Sequence, residues 1–159
     1  MKKFFAVMLV LCFAFCAMAK DVKVPVAVKQ AVTTEVVYPA VMSSEDWSKI
    51  TAPAVKLNAE GKFLEASDAY LQAGEYASHV KDGWDKIRQA WMFNNAGYMI
   101  INVYKNEKKT EALTLAQLYL DKSTVFNEKN DAQLNEKIAS NKKFITDEMV
   151  KLVPKSIKK

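Results

Sequence analysis

His79 is the only imidazole in the chain, and Cys12 and Cys16 are its only thiols. A zinc site needs several Cys, His or carboxylate ligands together, and no His-Glu-x-x-His occurs, so His79 cannot build one unaided. It falls at the end of a helical pattern, where a histidine interacts with exposed backbone carbonyls. The acidic pairs Glu45-Asp46 and Asp147-Glu148 are sequence neighbours. On a helix such neighbours face different directions, so they do not recommend a paired-carboxylate hydrolase. Gly61, Gly74, Gly83 and Gly97 form no phosphate-cradling loop, and there is no Gly-x-Ser-x-Gly elbow. The sequence therefore nominates no catalytic residue, no metal site and no cofactor.

Its chemistry is that of binding. Trp84, Trp91 and Tyr98 recur every seven residues on one helical face. They suit a stacking platform for a sugar or peptide, although large aromatics more commonly fill a core. Asn94 and Asn95 sit in mid-pattern. Asparagine is a poor helix former and costly to bury unpaired, so each must face solvent or hold something.

Five helical patterns must position these residues. Ser43 or Ser44 caps the first, ahead of Glu45 and Asp46, and Trp47, Ile50, Ala54 and Leu57 mark its apolar face. Pro53 interrupts it at a cost of ~3 kcal/mol, which predicts a kink or restart at Thr51-Ala52. Gly61 ends it. Phe63, Ala66, Tyr70 and Ala73 mark the second pattern. Asp82 is expected to cap the third, where Trp84, Ile87, Trp91, Asn94, Tyr98 and Ile101 form one face and Met92, Ala96, Met99 and Val103 another. Two apolar faces mean packing on two sides. Thr110 is expected to cap the fourth, with Ala112, Leu115, Ala116, Tyr119 and Leu120 inward. Asn130 with Gln133 resembles a capping box for the fifth, which carries Leu134, Ile138, Ile145, Met149 and Leu152 up to Pro154. The expectation is an all-α domain over residues 44–153, followed by a basic tail, 154–159.

The N-terminus reads differently. Lys2-Lys3, an apolar run from Phe4 to Phe15 and the ending Ala17-Met18-Ala19 are the three parts of a secretion signal, residues 1–19. Cleavage after Ala19 predicts an exported protein, periplasmic or secreted, with no cysteine and no stable membrane span. Residues 20–43 read as an extended or disordered tether. Val22, Val24, Val26 and Val28 alternate as in a strand, but Pro25 interrupts them. Losing Lys2 and Lys3 lowers the formal charge from +5 to +3. Basic and acidic residues are interspersed, which gives no clustered face for nucleic acid.

Residues 60–73 carry Gly61, Phe63, Ala66, Tyr70 and Ala73 at the offsets of the turn and second helix of a tetratricopeptide repeat, which this segment resembles. Ala54 and Leu57 fit the preceding helix; Pro53 departs from the pattern. A degenerate second unit places Trp91, Ala96 and Met99 on its first helix and Ala112 and Ala116 on its second. The separation of Ala96 from Ala112 exceeds the repeat by about one helical turn, so the third helix should be overlong. The resemblance implies antiparallel helical hairpins, about two units, with the fifth helix as a C-terminal cap. It further implies a concave face lined by the first helix of each unit. Val55 and Asn58 fall there in unit one, and Phe93 and Asn94 in unit two; a register shifted to Gly97 selects Asn95 instead. The partner implied is an extended segment of another protein, held by apolar contacts and amides, with no lysine or arginine in the set. Two other readings remain at this stage: a small exported enzyme acting on cell-envelope glycan, and a structural envelope-associated helical protein.

Overall fold

The computed structural model describes residues 38–153, so the expected signal (1–19), residues 20–37 of the expected tether and the tail 154–159 lie outside the described residues. Five helices follow one another: α1 (Ser44–Ala59), α2 (Phe63–His79), α3 (Asp85–Glu107), α4 (Thr110–Phe126) and α5 (Ala132–Leu152). No strand occurs among the described residues. Sequential helices pack as antiparallel hairpins, and α5 also folds back onto α3. None of the described helices is long and apolar enough to cross a membrane.

The longest of the described helices, α3, is the shared wall of three apolar clusters, the smallest of them Ile87 and Ala90 of α3 with Leu134 and Ile138 of α5. On one side Ala54, Ala66, Tyr70, Ala73, Met92, Ala96 and Met99 join α1, α2 and α3. On the other, Ile100, Ile101, Tyr104, Leu113, Ala116, Leu120 and Ile145 join α3, α4 and α5. Small residues set the distances. Ala54, Ala66, Ala90, Ala96 and Ala116 are fully buried, and the backbone at Gly97 lies so close to α4 that an added Cβ would sit 3.2 Å from Leu120 and 3.3 Å from the Ala116 carbonyl. Two buried serines bond across these crossings: Ser67 Oγ donates to the Ala96 carbonyl at 3.3 Å, and Ser123 Oγ to the Ala90 carbonyl at 2.7 Å. Each satisfies a hydroxyl that would be costly to bury alone.

Several local expectations are corrected. The first helix does not restart at Thr51-Ala52: α1 runs through Pro53, which is exposed. The Thr51 hydroxyl bonds the Trp47 carbonyl at 3.0 Å one turn back. Ser43 is the α1 cap, its Oγ accepting from Asp46 N–H at 3.1 Å. Trp84, not Asp82, occupies the α3 cap position. Thr110 is the first residue of α4, after Lys109. Asp131, not Asn130, caps α5, accepting from Leu134 N–H at 2.8 Å. Asn130 is displaced because it turns the chain with φ +53°, and its side chain accepts from Asn135 Nδ2 at 2.6 Å. His79 meets the Glu75 carboxylate at 3.3 Å and stacks on Tyr38 with ring centroids 4.4 Å apart, rather than meeting backbone carbonyls. Met149 and Leu152, expected inward, are substantially exposed.

The tether expectation also shortens, because Met42 is buried and docked. Asp82 Oδ2 accepts from Met42 N–H at 3.1 Å, and Arg88 Nη2 donates to the Met42 carbonyl at 3.3 Å. Asp82 is what the α2–α3 turn is built around. It takes two hydrogen bonds from Arg88 Nη1, at 2.7 and 2.8 Å, and one from Trp84 N–H at 3.0 Å. Burial alone would raise its pKa. The bonds from Arg88, Met42 and Trp84, together with the guanidinium charge, outweigh that and hold the carboxyl below its ordinary value.

Candidate binding groove

Two adjoining hollows run across α1, α3 and α5, and they share Trp91 and Asn95. The larger, about 540 Å³, lies between α3 and α5. Trp91, Asn94, Asn95 and Tyr98 line it from α3; Lys137, Ser140 and Asn141 line it from α5. The smaller, about 350 Å³, lies between α1 and α3. Trp47, Thr51 and Val55 form its α1 wall, and Tyr70 of α2 and Met92 of α3 join Trp91 and Asn95. These dimensions suit side chains of an extended segment.

Helical periodicity explains the lining. Trp47, Thr51 and Val55 are four residues apart on α1. Trp91, Asn95 and Tyr98 stand at i, i+4 and i+7 on α3, and Lys137, Ser140 and Asn141 at i, i+3 and i+4 on α5. Residues so spaced share one face. On α5 that face adjoins the buried stripe of Leu134, Ile138 and Ile145, so the helix packs with one flank and presents amides and a lysine with the other.

The four residues nominated by the repeat register are separated. Val55 and Asn94 line the groove. Asn58 is half-buried and lines neither hollow; its carbonyl accepts the Gly61 N–H at 3.0 Å in the α1–α2 turn. Phe93 lines neither hollow. At about 100° per residue it points roughly 200° away from both Trp91 and Asn95. It packs instead with Phe126 and Tyr119 of α4, at 5.5 and 6.5 Å between ring centroids, under Lys122.

Asn94 and Asn95 divide the work. Asn94 is 3% exposed. Its Oδ1 accepts from Asn141 Nδ2 at 3.2 Å, and its Nδ2 donates to Asn95 Oδ1 at 3.4 Å. Asn94 thus clamps α5 to α3, and Asn95, held by it, stands at the junction of both hollows. The register argument missed Asn95 as first choice, and it missed Lys137, Ser140 and Asn141 altogether. The signal was the Trp91-Asn95-Tyr98 spacing; nothing in the α5 pattern distinguished its polar flank from a solvated surface.

Among the described residues Lys137 is the one charged side chain lining either hollow, and no carboxylate joins it. Burial raises the pKa of Tyr70, further from neutrality. Among the described residues no three His, Cys, Asp or Glu side chains gather as a metal site. The arrangement can shelter apolar side chains and both donate and accept hydrogen bonds through amides.

No protein-family model matches the chain, and no curated protein or solved structure matches it either.

Proposed function

We propose that this chain is an exported, tetratricopeptide-like interaction module that docks an extended segment of another protein across α1, α3 and α5. The observation that carries this reading is the junction at Trp91 and Asn95. One aromatic ring and one amide face two contiguous hollows, so a single bound strand meets apolar surface and a backbone-matching amide in register. The repeat resemblance implies a groove lined chiefly by first helices, and α1 and α3 supply most of the smaller hollow, with Tyr70 joining from α2. Export rests on the leader residues 1–19. Among the described residues the lining holds Lys137 and no paired carboxylates, which favours docking over hydrolysis.

The test is a pair of variants assayed against a partner recovered from the exported fraction. Val55→Asp places a charge on an exposed groove position, and Asn95→Ala removes the shared amide. Both should weaken binding, with circular dichroism and melting near wild type. Retained binding in both variants rejects the groove.

A further inference from the structure

We infer that the groove is polarised: it takes an extended segment bearing an apolar side chain in the α1–α3 hollow and an acidic side chain about three residues away in the α3–α5 hollow. This rests on the docking function proposed above and specifies its partner.

Among the described residues no charged side chain lines the α1–α3 hollow. Trp47, Val55, Tyr70 and Met92 form its walls, and Val55 is 54% exposed. Removing such apolar area from water is what an incoming aliphatic or aromatic side chain gains. The α3–α5 hollow is chemically different. Asn94, Asn95, Asn141 and Ser140 surround Lys137 there.

The other lysines of α5 provide the contrast. Lys142 pairs with Asp121, Lys143 with Asp147 and Lys151 with Glu148. Among the described residues Lys137 has no carboxylate partner, and it is the α5 lysine that faces the groove. With hydroxyl and amide donors beside an ammonium, a carboxylate is the complementary side chain of a protein segment. The hollows flank α3, so their centres are separated by about one helix spacing, ~8–10 Å. An extended chain advances ~3.3 Å per residue, which sets the interval at about three residues. An exposed pair of this kind governs selectivity more than affinity.

Selection of random linear peptides on the purified chain tests this directly. The expected winners combine an apolar residue with Asp or Glu about three positions away. Their affinity, read by fluorescence anisotropy, should drop for Val55→Asp, and for Lys137→Glu it should fall about three- to tenfold, with Lys-substituted peptides regaining it. Peptides that depend on Val55 and Asn95 but show no acidic preference, or bind Lys137→Glu equally well, overturn the polarity and leave the groove standing. Selection that yields no peptide sensitive to Val55→Asp or Asn95→Ala overturns the groove reading and this inference with it.

Discussion

Neighbouring asparagines on one helix do opposite jobs. Asn94 is buried between α3 and α5, and Asn95 is presented at the groove. Asn94→Ala should therefore lower stability by about 0.5–1.5 kcal/mol in urea unfolding, by stranding the Asn141 amide. Asn95→Ala should leave unfolding near wild type and weaken binding only. A second residue-scale prediction concerns Asp82. Its folded pKa is depressed, so the stability it contributes is present above its unfolded value, near ~3.9, and is lost as pH falls through the lower folded value. Urea midpoints measured from neutral pH downward should thus decline below about pH 4, and Asp82→Asn should reduce that decline while lowering stability at neutral pH. An unaltered acid profile in the variant would remove Asp82 from the account. At this scale the sequence was informative about type and poor about direction. It marked Asn94-Asn95 as the polar anomaly within α3, but which one faces inward depends on a rotation of about 100° per residue fixed by packing partners.

Elements were more legible, because amphipathic spacing repeats over many residues and tolerates single misreadings. Gly61 ended α1 as expected, at φ +72°. The two-sided apolar pattern of α3 did correspond to a helix packed between two cores. Capping residues were misplaced by one or two positions at α3, α4 and α5: Trp84 and Lys109 hold the first two cap positions with no side-chain cap bond, and only at α5 do two neighbours, Asn130 and Asp131, offer a capping oxygen. Glycine and alanine at the crossings make sharp predictions. Gly97→Ala gains intrinsic helix propensity of up to ~1 kcal/mol. Here the new Cβ meets the Ala116 backbone carbonyl at 3.3 Å, which cannot swing away as a side chain can. A net loss of about 1–2 kcal/mol is expected in denaturant unfolding. Ala66→Leu should cost about 1–3 kcal/mol, because Ala66 is fully buried where α2 meets its neighbours. Unfolding midpoints equal to wild type in either variant would contradict the close approach.

At the scale of the whole molecule, α1, α3 and α5 supply most of the lining of two adjoining hollows, with Tyr70 joining from α2. Lys137 entered the larger of them only because α5 folds back onto α3, a long-range pairing that no local pattern encodes. The proposal that residues 1–19 are a secretion signal makes a separate prediction: the intact mass of protein recovered outside the cytoplasm should begin at Lys20, and a retained Met1 or a lipidated Cys16 would contradict it. The central claim, that the concave face is where a partner docks, is tested most directly by photo-crosslinking. A benzophenone side chain is placed at position 55, in the groove, or at 118, an exposed apolar position on α4 outside it. The account predicts a discrete adduct from position 55, suppressed by Asn95→Ala, and none from position 118. Adducts from position 118 alone, or from both positions regardless of Asn95, would contradict it.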